Sequence, residues 1–114
     1  MIGKIYMINL PFYDIKTHSK AFKERPALII GIADKDDFNI IPVSSCQFTQ
    51  NIDKDFDVEI ALKQKCYART HKQTIAHRKD TGRFIADLKN NNNTVYNKII
   101  DKWNQYCERI NKYL

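Results

Sequence analysis

The hydrophobic pattern opens with two apolar stretches. Residues 3–10, GKIYMINL, are rich in β-branched and aromatic side chains and stop at Pro11, which predicts a strand. Residues 26–33, PALIIGIA, are apolar without a break, which predicts a buried central strand with Pro26 at its first position, where a missing N–H is tolerated. Between them, residues 11–24 show neither helical nor strand periodicity and read as a long loop with a functional role. A turn in ADKDD, residues 33–37, leads to a strand at 38–43, and residues 47–54 form a polar connection. Phe56 to Ile60 alternates as a half-exposed strand. Residues 66–77, CYARTHKQTIAH, read as one long β segment with Tyr67, Arg69, His71 and Gln73 on one face. Gly82 breaks the pattern, and RFIADLK at 83–89 reads as a short helical turn.

Asn90 to Asn93 is a polar linker, with Asn93 or Thr94 as the expected N-cap of a final helix. Val95, Ile99, Trp103, Tyr106, Cys107, Ile110 and Leu114 then recur at three- and four-residue spacing. That predicts an amphipathic helix of about twenty residues whose apolar stripe packs on the core. The expected architecture is one domain over residues 1–114, mainly β with helices (α+β). About five strands form a single, strongly curved antiparallel sheet with a long C-terminal helix. No βαβ alternation, glycine-rich phosphate loop or internal repeat is present.

Composition narrows the class. A chain of 114 residues that is 43% hydrophobic suits one folded domain. No stretch approaches the ~20 apolar residues that span a bilayer. Asn9 and Pro11 interrupt the N-terminal apolar run, and no small-residue cleavage site comes after it, so a cytoplasmic protein without membrane association is expected. Cys46, Cys66 and Cys107 are odd in number and widely spaced and make no zinc pattern with the histidines. Reduced, mostly buried thiols and no metal are expected.

The net charge of +6 is unevenly spread. Residues 1–25 hold five basic and two acidic side chains, residues 33–60 two and seven, and residues 61–89 eight and two. Two basic segments around an acidic one suggest a polarised surface able to attract a polyanion such as RNA or DNA, although lysines also serve solubility.

The candidate chemistry lies at strand ends. Arg25 precedes the buried strand, and Ser44 and Ser45 come directly after Pro42-Val43. If these two strands pair, a guanidinium and two hydroxyls converge at one edge of the sheet. No HExxH motif, Ser-His-Asp spacing or carboxylate pair competes. Phe12, Tyr13 and Phe22 are interleaved with Lys16, Lys20 and Lys23, a mixture suited to unstacked bases beside phosphates.

At these residues the chain resembles the MazF/PemK toxins of type II toxin–antitoxin systems. The resemblance is carried by GKIYMINL, the lysine-rich segment, RPALII at 25–30 and IPVSS at 41–45, and extends loosely through CYARTHKQTIAH and the C-terminal helix. It implies an SH3-like barrel, a homodimer, and metal-independent, cofactor-free cleavage of single-stranded RNA at short preferred sequences. It also implies inhibition by a cognate antitoxin. Arg25 matches the family's catalytic arginine and Ser44 its catalytic Thr or Ser, with Ser45 as a second hydroxyl donor. Phe12, Lys16, His18, Lys20, Lys23, His71 and Gln73 are the expected RNA contacts, and Phe22 is equally suited to closing the barrel end. Where the family carries a further arginine after the glutamine that Gln73 resembles, Ile75 stands near that place. His18, His71 and His77 have the intrinsic pKa for proton transfer. Two other readings stay open: a non-catalytic barrel toxin of the CcdB type that inhibits DNA gyrase, and a simple nucleic-acid-binding barrel.

Overall fold

The computed structural model describes residues 1–45 and 52–112, with Phe12 and Tyr13 described by backbone alone. The polar connection expected at 47–54 falls mostly outside the described residues, as do Cys46, Tyr113 and Leu114.

The apolar run from Ala27 to Ile30 lies in β2 (Ser19–Asp34), which pairs with β1 (Lys4–Asp14) on one edge and β3 (Asp37–Ser44) on the other. Successive side chains of a strand point to opposite faces, so an uninterrupted apolar run must be covered on both. Leu28 joins Ile5, Ile41 and Val43 in one buried cluster, completed by Val58 and Ile60 of β4 (Asp57–Ala61), Cys66 and Ala68 of β5 (Lys65–Arg69) and Ile99 of the C-terminal helix. Ala27 and Ile29 join Ile8, Leu10, Phe38 and Ile40 in a second cluster, which Ala76 of β6 (Thr74–His77) completes. The last strand, β7 (Thr81–Asp87), pairs with β1. All pairings among the described residues are antiparallel, in the order β4-β5-β3-β2-β1-β7, with β6 also on β3. The fold is therefore α+β and mainly β, with seven strands where about five were expected.

Gly3 turns the chain into β1 at φ +87°, a conformation costly for any residue with a Cβ. A Cβ there would collide with Lys89, and the close approach lets Gly3 donate to the Ile29 carbonyl and accept from the Lys89 N–H.

Several local expectations are corrected. The stretch read as a loop at 11–24 is a β-hairpin: β1 and β2 stay in register out to Asp14↔Ser19, and only the turn between them leaves the ladder. There Asp14 accepts from the Lys16 N–H, and His18 takes a positive φ of 54°. Pro11 is accommodated because β7 pairs with β1 only as far as Ile8, so beyond it β1 has one open edge. Pro26 lies inside β2, one residue past the last pair with β3, Ala27↔Pro42. Phe22 is 67% exposed and closes nothing.

The segment 66–77 is broken by a 3₁₀ turn at Thr70–Lys72. Thr70 is fully buried and its hydroxyl donates to the Phe56 carbonyl, which pulls the backbone out of the strand. Residues 83–87 of RFIADLK belong to β7, and α1 (Leu88–Asn91) takes up most of the expected linker. The long helix α2 (Asn93–Asn111) is capped by Asn92, not by Asn93 or Thr94: the Asn92 side chain accepts from the Val95 N–H at 3.4 Å. Ile99 and Tyr96 are buried on it, Val95, Trp103, Tyr106 and Cys107 are half-buried, and Ile110 is 39% exposed. No helix of the described residues is long and apolar enough to cross a membrane.

Candidate active site

The β2–β3 pairing brings the expected residues together. Ala27 faces Pro42, and carrying that register on by two residues sets Arg25 opposite Ser44. Both have the strand parity of the second cluster, so both stand on its face of the sheet, beyond the end of the apolar side chains. A cleft of about 510 Å³ opens there, lined by Arg25, Ser44, Arg69, Lys72 and Thr74 over a floor that includes Leu10 and Pro42. It is the continuation of that apolar face into solvent.

The cleft exists because β3 changes partners along one edge. Asp37 to Ile40 pair with β6, whereas Val43 and Ser44 pair with β5, and no pair falls at Ile41 and Pro42. Proline has no N–H to leave unsatisfied at such a gap. The 3₁₀ turn spans the interruption and presents Lys72, with Thr74 just beyond it, to the cleft.

Ser45, the residue after β3, is exposed and lines a smaller cavity of about 190 Å³ with Glu24, Pro26 and Gln64, to which Arg25 and Ser44 also contribute. Arg25 and Ser44 therefore sit where two hollows meet. Both are half-buried, Arg25 has no ion pair among the described residues, and no hydrogen bond occupies the Ser44 hydroxyl there. The larger cleft is lined by three cationic side chains and, among the described residues, by no carboxylate.

The remaining expected contacts scatter. Lys23 lines the smaller cavity, while Lys16, His18 and Lys20 are exposed on the hairpin. Phe12 is placed on β1 opposite Ala21, its side chain lying outside the description. Gln73, between two cleft residues, turns its amide to Asn39 Oδ1 at 3.3 Å and to the Thr74 carbonyl at 3.0 Å. His77 Nδ1 accepts from the Lys79 N–H at 3.0 Å. His71 does not line the cleft. Its ring packs near Phe56 and Tyr106, with Nδ1 buried 3.7 Å from Asp57 Oδ1. Burial pulls its pKa below the ordinary imidazole value, with Arg69 and Lys72 adding to that effect and Asp57 and Asp53 opposing it.

Arg69, Lys72 and Thr74 are the cleft residues that strand periodicity does not reveal, because the 3₁₀ turn resets which side chains share a face. The one signal available in the sequence was cationic: Arg69 and Lys72 lie in the basic segment 61–89. Among the described residues, no group of three or more His, Cys, Asp or Glu side chains is arranged to hold a metal ion. A scan against protein-family models and a search of curated proteins returned no match, so the reading of this site stands on its own residues.

Proposed function

We propose that the chain is a sequence-selective endoribonuclease that cleaves single-stranded RNA without a metal ion, acting as the toxin of a type II toxin–antitoxin pair. The supporting observation is the meeting of Arg25 and Ser44 on one wall of a cationic cleft. Attack of a ribose 2′-OH on the adjacent phosphorus places extra negative charge on the phosphoryl oxygens as the 5′-oxygen departs. A planar guanidinium donates two parallel hydrogen bonds to those oxygens and a hydroxyl donates a third. The products are a 2′,3′-cyclic phosphate and a 5′-hydroxyl. Arginine serves here by charge stabilisation, since its pKa above ~12 makes proton transfer near neutrality costly. The same reading extends to an SH3-like closure of the curved sheet, a homodimer, a cytoplasmic setting, and an antitoxin partner whose acidic, apolar segment complements the basic groove.

Incubating the purified protein with a long RNA in EDTA and mapping the ends tests the reading. Discrete cuts with 5′-hydroxyl termini are expected, and a single 2′-deoxyribose at the cut site should block cleavage there. Retardation of the RNA without cuts would instead mark a binding module. Arg25→Lys keeps the charge but loses the fork, and should slow cleavage about a hundredfold, the typical effect of losing one such donor.

A further inference from the structure

Arg25 and Ser44 border two hollows, and the second of these adjoins a third. The larger cleft and the smaller cavity have Arg25, Val43 and Ser44 in common. The smaller cavity in turn shares Pro26, Gln64 and Cys66 with another hollow of about 190 Å³, which Met7, Leu62, Lys63, Arg83 and Ile85 complete. Three hollows thus lie in a row, from Lys72 past the reactive pair to Arg83.

The third hollow combines apolar and cationic walls. Met7 of β1, Pro26 of β2, Leu62 just after β4 and Ile85 of β7 converge there, and each is only half-buried. Lys63 and Arg83 beside them are exposed and have no ion pair among the described residues. Gln64 stands between this hollow and the next, its side-chain amide without a hydrogen bond among the described residues and able both to donate and to accept. Glu24, in the middle hollow, is the one carboxylate among the described residues of all three linings. An unstacked base has apolar faces, a polar edge and phosphates on either side, and this wall meets each of them. The hollow is smaller than the roughly 300–1,000 Å³ that houses a whole ligand, and suits one base of a longer chain.

We propose that the hollow of Met7, Pro26, Leu62 and Ile85 is a second subsite for single-stranded RNA, seating an unstacked base of the strand whose scissile phosphodiester lies at Arg25 and Ser44. Lys63 and Arg83 bind the phosphates that flank this base, and Gln64 meets its edge. The subsite rests on the nuclease reading for what occupies Arg25 and Ser44. Its contribution is to binding and to the choice of sequence, since base contacts specify where phosphate contacts only position.

The test is a base-by-base scan. A short single-stranded RNA with 2′-O-methyl groups throughout lacks the attacking hydroxyl and stays whole. It spans the mapped cut or, where none maps, carries a mixed sequence, and one base at a time is removed to leave an abasic site. Binding is measured by fluorescence anisotropy. One abasic position away from the cut should weaken binding to the unaltered protein about tenfold, the scale of one stacked base. Met7 packs on neither apolar cluster, so Met7→Ala leaves the core intact. In that variant the same abasic position should cost under about threefold, while the other positions keep their effects. Lys63→Gln and Arg83→Gln should each flatten the log–log salt dependence by about 0.7, as for one phosphate released from a single strand.

A scan in which Met7→Ala changes no abasic penalty overturns the proposal. So does a salt slope unchanged in both Lys63→Gln and Arg83→Gln, and these exposed substitutions decide the matter should Met7→Ala fail to fold. RNA cleavage without the coupled position removes the subsite and keeps the nuclease; the coupled position without cleavage does the reverse. An oligonucleotide that fails to bind at all removes the subsite.

Discussion

On one face of β1, β2 and β3 the apolar side chains run beneath α2 and end there; on the other they run out into the cleft. The same strands supply both surfaces by alternation, so Leu28 and Ile29, neighbours in sequence, belong to different clusters. The face covered by the helix buries Ile5, Leu28, Ile41 and Val43 against β4, β5 and Ile99. The opposite face leaves the last turns of its strands in contact with water, and the reactive side chains stand at that boundary. Stability and chemistry are thus divided by face within single strands, and substitutions on the two faces should fail in different ways.

The sharpest separation compares Leu28→Ala with Arg25→Ala. Leu28 is fully buried in the covered cluster, and its truncation should lower the unfolding free energy by about 2–5 kcal/mol in chemical denaturation. Arg25→Ala should change that free energy by under about 1 kcal/mol while removing RNA cleavage. Equal losses of stability would mean that the two faces are one core. Next comes the serine pair. Ser44→Ala should slow cleavage about a hundredfold, whereas Ser45→Ala, outside the lining of the larger cleft, should leave the rate unchanged; matched losses would show that both hydroxyls serve the reaction.

A smaller effect belongs to the cap of the covering helix: Asn92→Ala should cost about 1 kcal/mol, read as a lower melting temperature with cleavage intact at low temperature. The smallest concerns His71, whose pKa is held below its ordinary value of 6.5, chiefly by burial. Below pH 6.5 the unfolded chain takes up a proton that the folded chain resists. Stability should therefore fall as the pH drops through 6.5 toward the folded value, and hold above it. His71→Gln should remove that part of the acid slope in denaturation curves measured on either side of 6.5.

Much of this was legible in the sequence where burial dictates residue type. The run Ala27–Ile30 could only be a strand covered on both sides, and the spacing from Val95 to Cys107 could only be a helix lying on a core. Arg25 and Ser44 were placed together by one assumption, that their strands pair, and they do. The hairpin beyond Leu10 was not legible because its sequence shows no apolar alternation: Phe22 and Ile15 lie exposed beside lysines, and the backbone ladder marks it. Strand β7 was missed for a related reason, since its ladder with β1 shifts register twice and blurs any period of two. Arg69, Lys72 and Thr74 escaped because a buried threonine hydroxyl bonded to a distant carbonyl ends the strand at a place that local pattern does not mark.

The three residues from Thr70 to Lys72 tie site composition to strand phase. Because β6 must meet β3 as Phe38↔Ala76 and Ile40↔Thr74, adding or deleting a single residue in the bridge would rotate every later side chain of β6 to the other face. Ala76 would leave the apolar cluster in the same step that Thr74 left the cleft. Insertions and deletions at this one bridge would therefore damage packing and recognition together, whereas the exposed tip of the hairpin between Asp14 and Ser19 has room to vary in length.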